Sequence, residues 1–320
     1  MIEKIYIGSY SDNIKICEFN NGTLNIIGQI ENANKPSYLN INKEFIYAVS
    51  EINNGSIEIF KATKSGFKQV ETRTIEQALP CYITTNKQNS LLLVANYGSG
   101  SVIMYKLKQD GCIEKQIKKI EYPFSHMHFA EFINDDIYVV DLGNDTIYIY
   151  NNKMELISKI YTGPKTGPRH IAMTKDCKTM YVVAEMSNQM FVYKKYKNEF
   201  KLVQTLSTLP DQKVESYAGA IKISNDDKYI YVTNRGHNSI SVFENNKSKL
   251  RLIQNIPSYG IFPRDILLNK NEKYIMVANQ KSNNIVIFKR NIDEGTLSKI
   301  EGADVDIEKP SCIVRSDYGI

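Results

Sequence analysis

The runs YAVSE at 47–51 and LLVAN at 92–96 decide the fold, because the chain repeats runs of this kind at a nearly fixed interval. Four more follow: YVVD at 138–141, YVVAE at 181–185, YVTN at 231–234 and IMVAN at 275–279. Each run is rich in β-branched and aromatic residues and ends in a polar residue. The terminal residues are spaced by 45, 45, 44, 49 and 45 positions, and they are Glu51, Asn96, Asp141, Glu185, Asn234 and Asn279. This spacing predicts repetition of one supersecondary unit.

A second series of short runs precedes the first within each unit. It comprises PSYL at 36, PCYI at 80, HMHF at 126, PRHI at 168, AGAI at 218, PRDI at 263 and PSCI at 310. Ser9, which lies 42 positions before Glu51, adds a seventh member to the first series. Another alternating strand follows each turn, and a fourth, more polar stretch completes the unit. Four short antiparallel strands per roughly 45 residues predict an all-β fold, a seven-bladed β-propeller.

The register also predicts how the ring closes. The first unit has only three strands, at 4–9, 14–19 and 24–30, whereas the chain ends in a lone first strand at 310–315. We therefore expect the C-terminal strand to complete the blade formed by residues 1–30, and residues 1–320 to form a single propeller domain.

Composition excludes several classes of function. The net charge of +5, from 40 basic and 35 acidic residues, is spread along the chain, which gives little support to nucleic-acid or membrane binding. The five cysteines are far apart and form no CxxC, so they indicate reduced thiols of a cytoplasmic protein. The N-terminus MIEKIYIGSY has no signal-peptide pattern. A closed ring needs no partner to fold, so both a monomer and an oligomer stay open.

The two series are expected to meet at one mouth of the central channel, because the start of strand one and the end of strand two share one face of a propeller. Strand-one starts would bring His126, His128, Arg169, His170, Arg264 and Asp265. Strand-two ends would bring Glu51, Asn96, Asp141, Glu185, Asn234, Arg235 and Asn279. Buried charges are costly unless paired, so this set indicates a functional polar pocket. The alternative is that the groups pair with one another and plug the channel.

A metal site is a further alternative at the same mouth. His126 and His128 are two apart on a strand, so they point the same way and could bind a metal with His170 and a carboxylate. No familiar metal motif accompanies them. We therefore expect no metal and no cofactor.

At these residues the sequence resembles the bacterial 6-phosphogluconolactonase family of the seven-bladed propeller type, which is similar to the fungal carboxymuconate-cyclising enzymes. The shared motifs cover nearly the whole chain in order. They are YIGSY at 6–10, YAVSE at 47–51, VANYGSGSV at 94–102, SHMH at 125–128, DLGND at 141–145, GPRH at 167–170, NRGHNSI at 234–240 and ANQKSNNIVIF at 278–288. In one respect the chain departs from the pattern: family members commonly carry an acidic residue where this chain has Ala220.

The resemblance implies hydrolysis of a sugar lactone, and 6-phosphogluconolactone is the expected substrate. It implies that the catalytic group comprises His128, Arg169, Glu185 and Arg235. Lactone hydrolysis needs a base that activates water and a positive site for the oxyanion. A histidine suits the first role at neutral pH and arginines suit the second. We assign His128 as the base, with Glu185 orienting a neighbour or sharing the proton transfer.

The predicted substrate-binding residues are His126, His170, Glu51, Asn96, Asp141, Arg264 and Asn279. Two other functions stay open. A muconate-type cycloisomerase would also use arginines to bind carboxylates, and a non-catalytic propeller would bind a ligand or a protein. Ala220 favours the non-catalytic reading, whereas the absence of tryptophan argues against a WD-repeat scaffold.

Overall fold

A computed structural model describes residues 2–211, 214–246 and 249–318 of the chain. The regular structure of these residues is β-strand throughout. The same ranges contain no helix that is long and apolar enough to cross a membrane.

The first blade joins the two ends of the chain. Its strands lie in the order β29, β1, β2 and β3, with the bounds β1 (Glu3–Ser9), β2 (Asn13–Asn20), β3 (Thr23–Glu31) and β29 (Pro310–Arg315). Just beyond β29, the backbone N–H of Ser316 donates to the carbonyl oxygen of Lys4 at 3.1 Å. The predicted completion of the N-terminal blade by the C-terminal strand is therefore confirmed.

The chain forms two compact units. The N-terminal unit consists of Lys4–Glu18, Ile26–Tyr161 and the described residues from Val314. It holds three complete blades, each of four strands in chain order. Their strands are β4 (Pro36–Asn42), β5 (Phe45–Ser50), β6 (Ser56–Thr63), β7 (Gly66–Thr74), β8 (Pro80–Thr85), β9 (Leu91–Asn96), β10 (Ser101–Leu107), β11 (Ile113–Glu121), β12 (Met127–Ile133), β13 (Asp136–Asp141), β14 (Thr146–Asn151) and β15 (Leu156–Tyr161).

The C-terminal unit is formed by the described residues of Thr162–Ile313 together with Phe19–Asn25 and the first residues of the chain. It holds the other three blades. Their strands are β16 (Pro168–Met173), β17 (Thr179–Ala184), β18 (Gln189–Tyr196), β19 (Glu199–Ser207), β20 (Tyr217–Ile223), β21 (Tyr229–Arg235), β22 (Ser239–Asn246), β23 (Lys249–Pro257), β24 (Pro263–Leu268), β25 (Tyr274–Asn279), β26 (Asn284–Arg290), β27 (Leu297–Lys299) and β28 (Val305–Asp306).

Only the last blade departs from four strands, because its outer strand is split. Both β27 and β28 pair with β26, and the segment between them contains Gly302 at a φ of 73°. The Lys299 ammonium lies 3.2 Å from the Asp304 carboxylate and so bridges the interruption. With the other six blades intact, the fold is the seven-bladed β-propeller that the repeat predicts. That residues 1–320 form one domain stays a prediction.

Adjacent blades bury their apolar faces against each other. The blades of β4–β7 and β8–β11 share one continuous core, whose buried members include Phe45, Tyr47, Val49, Ile57, Ile59, Ile83, Leu92, Val94 and Ile103. The alternation of a strand sends successive side chains to opposite faces, so each inner strand contributes to the cores on both sides. Burial of each such side chain contributes roughly 1.5–3 kcal/mol.

Within each blade, the first residue of strand one lies opposite the last residue of strand two. Pro80 pairs with Asn96, and Pro168 pairs with Ala184. In the blade of β12, Met127 pairs with Asp141. Met127, not His126, is therefore the first strand residue of this blade, and the HMHF run begins one position before the strand.

A buried carboxylate anchors the link between the first two blades. Glu58 in β6 is only 3% exposed, and its Oε2 accepts the backbone N–H of Asn34 at 3.1 Å. The Ser50 hydroxyl donates to Oε1 at 3.3 Å. Burial raises the pKa of Glu58 to about 7, although the Asn34 and Ser50 hydrogen bonds act to lower it.

This raised pKa makes stability depend on pH. The unfolded carboxyl group loses its proton near pH 4.5, whereas the folded one keeps it to about pH 7. Unfolding therefore releases a proton between these values, and we expect the free energy of unfolding to fall by about 3 kcal/mol as the pH rises through that window. The measurement is urea unfolding of wild type and Glu58→Gln from pH 4 to 8. Glu301→Gln, at an exposed carboxylate, is the control, and equal pH profiles of wild type and Glu58→Gln would contradict the prediction.

Loss of β29 is expected to destabilise the whole chain. A chain that ends at Lys309 loses the buried side chains of Cys312 and Ile313 and leaves β1 with an unpaired edge. A loss of several kcal/mol corresponds to a fall in Tm of about 10 °C. Thermal unfolding by circular dichroism measures it, against a control that ends at Arg315 and keeps the strand. The same Tm for both shortened chains would refute the closure argument.

Candidate active site

A β-bulge at the start of the first strand recurs in six blades. The pairing register skips one residue in five of them and two residues in the blade of β20. Bulges redirect side chains and are common beside active sites. The skipped residues are Ser37, Cys81, His128, Arg169, Gly219 with Ala220, and Arg264.

In five blades, the residue after the second strand is held by a backbone hydrogen bond to the segment that precedes strand one. In each case its N–H donates to a carbonyl oxygen of that segment. The bonds run from Glu51 to Lys35 (3.4 Å), Tyr97 to Leu79 (2.9 Å), Leu142 to His126 (3.0 Å), Glu185 to Gly167 (2.7 Å) and Gln280 to Phe262 (3.0 Å). The bulge and this bond place two side chains of each blade at the same end.

The polar residues at the ends of the second strands fall in two registers, not one. Four fully buried residues form the last pair that strand two makes with strand three. They are Asn96, Asp141, Asn234 and Asn279. Glu51, Glu185 and Arg235 occupy the next position. Because successive side chains of a strand point in opposite directions, the two groups cannot face the same space.

The buried asparagines hold the turn after strand two. The Asn96 amide donates to the Ser101 hydroxyl at 3.1 Å, and the Asn279 amide donates to the Ser258 carbonyl at 3.2 Å. These bonds give the two residues a structural role. Contact of Asn96 or Asn279 with a substrate stays a prediction.

In the C-terminal unit, Glu185 lies between two arginines from neighbouring blades. Its Oε2 is 3.1 Å from Nε of Arg169 and 2.5 Å from Nη2 of Arg235. The arginines are 2% and 4% exposed. Sequence analysis predicted these three residues for one site, and the structure brings them into direct contact.

Main-chain carbonyls fix the orientation of both guanidinium groups. Arg169 donates from Nη1 to the Gly219 carbonyl at 3.0 Å. Arg235 donates from Nε to Tyr217 at 3.2 Å and from Nη2 to Ala218 at 2.9 Å. The start of β20 therefore supplies acceptors to both arginines, and the small residues Ala218 and Gly219 let the guanidinium groups approach the backbone.

The three arginines around Glu185 keep its carboxylate ionised. Burial by itself raises the pKa of Glu185, but the charges of Arg235, Arg169 and Arg264 outweigh it and hold the pKa below its usual value. A carboxylate with a lowered pKa is a weak proton acceptor. Its position indicates that it orients the arginines.

Two neighbours on the first strands complete this group. His170 has Nε2 at 3.3 Å from Nη1 of Arg169, and because a guanidinium only donates, this nitrogen accepts. Asp265 is buried beside the site, and burial raises its pKa even though Lys222, the N–H of Ile313 and Arg169 act to lower it. Glu185 is the carboxylate that forms the ion pairs with Arg169 and Arg235.

In the N-terminal unit, two histidines contact one tyrosine. The His126 ring stacks on Tyr97 with centroids 4.6 Å apart, and the His128 ring meets it edge-on at 5.9 Å. Nδ1 of His126 lies 2.9 Å from the Tyr97 carbonyl oxygen. Sequence analysis missed Tyr97, although it stands directly after Asn96 in the VANYGSGSV motif.

Asp141 holds the backbone that carries His126. The carboxylate is fully buried and accepts the N–H of His126 at 2.9 Å, the hydroxyl of Ser125 at 2.7 Å and the N–H groups of Gly143 and Asn144, both at 3.1 Å. Its oxygens are thus occupied by the protein. The predicted substrate contact of Asp141 stays untested, and its observed partners give it a positioning role.

Glu51, also in the N-terminal unit, is paired with a tyrosine of the first blade. The Tyr10 hydroxyl donates to Oε2 of Glu51 at 2.6 Å. Both residues occupy the position after strand two, the same position that Glu185 takes in its blade. The predicted contact of Glu51 with a substrate stays a prediction.

Ala220 stands at the position where the family resemblance predicts an acidic residue, and Arg169 has another acceptor beside it. The side chain of Ala220 is buried in the apolar core shared by the blades of β20 and β24. Its backbone N–H donates to the Thr233 hydroxyl at 2.9 Å. The carbonyl of the preceding residue, Gly219, supplies an acceptor to Arg169 instead.

The described residues contain no metal-binding cluster. Across residues 2–211, 214–246 and 249–318, no group of three or more His, Cys, Asp or Glu side chains is arranged to hold a metal ion.

Comparisons with known proteins agree on one family. A family model described as "Lactonase, 7-bladed beta-propeller" matches residues 4–315. A Staphylococcus epidermidis protein is 34% identical over 253 residues, which are 72% of this chain and 73% of that protein. A Bacillus subtilis protein named 6-phosphogluconolactonase is 29% identical over 302 residues, covering 87% of this chain and 86% of that protein. The crystal structure of a Lactobacillus plantarum protein superimposes with a TM-score of 0.93 at 26% identity, covering 99% and 100% of the two chains.

Removal of the Glu185 charge should destabilise the protein at neutral pH. Glu185→Gln leaves two buried guanidinium groups without their shared counter-ion, so we expect a loss of about 3 kcal/mol at pH 7. Because the folded pKa is lowered, this stabilisation is present above pH 4.5 and is lost as the pH falls through the folded value. Denaturant unfolding at pH 7 and pH 3.5 tests this, with the exposed Glu199→Gln as control. A difference that persists undiminished at pH 3.5 would count against the ion pairs.

Proposed function

We propose that this chain, which belongs to the lactonase family of seven-bladed β-propellers, hydrolyses 6-phosphogluconolactone to 6-phosphogluconate. Family membership makes it a lactone-hydrolysing enzyme. The choice of substrate follows the Bacillus subtilis relative, which carries the name 6-phosphogluconolactonase and aligns with most of the chain.

The observation that carries the proposal is the group of arginines in the C-terminal unit. Arg169 and Arg235 contact Glu185, and the charge of Arg264 also acts on this carboxylate. Guanidinium groups form charge-assisted hydrogen bonds to carboxylate and phosphate, so this group of arginines favours an anionic ligand. A phosphorylated lactone supplies both a phosphate and, during reaction, a second negative charge on the carbonyl oxygen.

The arginines have two tasks in the proposed reaction. Water adds to the lactone carbonyl carbon, and the carbonyl oxygen becomes an oxyanion. A guanidinium group stabilises that oxygen and can also bind phosphate through two parallel hydrogen bonds. Arg169 and Arg235 already have part of their donor set satisfied by backbone carbonyls, so they are held in position before the substrate arrives.

Glu185 acts in this scheme as a positioning residue. Its carboxylate forms ion pairs with both arginines, and its lowered pKa makes it unsuitable for taking a proton from water. The sequence-based suggestion that Glu185 shares the proton transfer is therefore the weaker of its two roles. Orientation of the guanidinium groups is the role that we propose.

The base is an imidazole of the histidine pair beside Tyr97. His128 keeps a proposed role in the reaction because it occupies, in its blade, the bulge position that Arg169 and Arg264 occupy in theirs. His170 binds Arg169 through a ring nitrogen and supports its orientation. The reaction needs only water as co-substrate, so the proposal includes no cofactor. A cytoplasmic location, in keeping with five free cysteines, completes it.

Replacement of Arg169 should remove most of the activity. We expect Arg169→Ala to lower kcat/KM for freshly generated 6-phosphogluconolactone by about 10²–10³-fold, because an oxyanion donor is lost from a buried site. Release of acid, corrected for spontaneous ring opening, measures the rate. The matched control is Arg251→Ala, since Arg251 is exposed and pairs only with Glu244 among the ion pairs of the described chain.

Each outcome bears on a different part of the proposal. No turnover of this lactone by the wild type would refute the substrate. Turnover that Arg169→Ala leaves unchanged would refute the site while leaving the activity intact. A comparison with the unphosphorylated gluconolactone tests the phosphate, for which we expect a preference of at least about tenfold.

A further inference from the structure

The hydrogen bond to Tyr97 fixes which nitrogen of His126 carries the proton. A carbonyl oxygen only accepts, so Nδ1, at 2.9 Å, must donate its N–H to it. In the neutral ring the lone pair is then on Nε2. Across the described ranges of the chain, the structure gives Nε2 of His126 no hydrogen-bond partner, and the residue is half-buried. The ring therefore presents a proton acceptor that the protein leaves unused.

Packing holds this ring in one orientation. The Tyr97 ring covers one face of the imidazole, with an interplanar angle of 20°. Gly143 lies beside its edge, where an added Cβ would come within 2.9 Å of Cδ2 of His126. The glycine of the DLG run thus leaves space that the imidazole occupies.

The backbone of His126 is fixed at both of its polar groups. Its N–H donates to the buried Asp141 carboxylate at 2.9 Å, and its carbonyl accepts the N–H of Leu142 at 3.0 Å. Neither bond involves the ring. Position and tautomer are thus set by separate contacts, which is the preorganisation that a general base requires.

The other candidate bases are engaged or enclosed. Glu185 is ionised against two arginines and has a lowered pKa. His170 directs Nε2 at the Arg169 guanidinium. His128 is 6% exposed and occupies, in its blade, the bulge position of Arg169 and Arg264, to which the proposed function gives substrate binding.

We infer that His126, oriented by the Tyr97 carbonyl, is the general base, whereas His128 binds the substrate; the inference rests on the proposed function. Nε2 takes a proton from water as the water oxygen bonds to the lactone carbonyl carbon. When the bond from that carbon to the ring oxygen breaks, the proton passes to the leaving oxygen. The products are one carboxylic acid and one hydroxyl group, so water and lactone are fully accounted for.

The experiment compares His126→Gln with His128→Gln on the lactone that the wild type hydrolyses. For His126→Gln we expect kcat to fall by about 100-fold or more with KM within about threefold, because a base acts in the chemical step. For His128→Gln we expect KM to rise more than kcat falls. His237→Gln is the matched control, since His237 lies in a turn where its Nδ1 contacts Ser239.

Two readouts separate a base from a merely structural histidine. Free imidazole should restore part of kcat to His126→Ala and none to His128→Ala. In the folded wild type, two-bond nitrogen–proton NMR correlations should show His126 protonated at Nδ1, a result that does not depend on any variant folding. A proton on Nε2 instead would overturn the inference.

The failures of the two proposals are distinguishable. Wild-type turnover with an unchanged kcat in His126→Gln overturns the base and leaves the lactonase assignment standing. A wild type that hydrolyses no lactone overturns the proposed function, and the base assignment with it.

Discussion

The bulge at the start of strand one is the constraint on which the site depends. A regular strand would send alternate side chains into the cores between blades, where charges are costly. One skipped residue breaks this alternation after Pro168 and after Pro263, and the side chains so released are Arg169 and Arg264. The apolar residues that follow return to the normal register and keep the cores intact. Within a single strand, the residue at the bulge is thereby available to the site and the residues after it pack in the cores.

Charge balance explains why the arginine group needs so many backbone contacts. Arg169 and Arg235 are almost fully buried, and they share the Glu185 carboxylate as a counter-ion. Gly219, Ala218 and Tyr217 offer carbonyl oxygens, which satisfy donors without adding negative charge. The guanidinium groups are therefore desolvated and held in a fixed orientation. A binding site for an anion requires this combination.

The histidine pair shows how neighbouring residues come to differ in chemistry. His126 precedes the strand and stacks on Tyr97, whereas His128 occupies the bulge and is nearly enclosed. Asp141, one residue before the turn, holds the segment by accepting hydrogen bonds from five groups. Asp141 contributes to the site by fixing the main chain. Its residue type and position in the sequence do not by themselves reveal this role.

Sequence alone determined the fold, because the repeat of strand-forming runs and turns leaves one way to bury the apolar faces of four-stranded units. The lone C-terminal strand and the three-stranded first unit likewise determined the closure. The sequence also indicated which residues gather at one end of the blades: Arg169, Glu185 and Arg235 were named from their positions and are in contact.

Only the tertiary structure decided which polar residues point toward that end. Asn96 and Glu51 looked equivalent at a spacing of 45 residues, but one is the last strand residue and fully buried, and the other follows the strand. A shift of one residue reverses the direction of a side chain, and the position of a bulge depends on pairing with the neighbouring strand. The ionisation of Glu185 and the tautomer of His126 are likewise set by groups distant in sequence, because electrostatic and hydrogen-bonding partners exist only once the chain has folded.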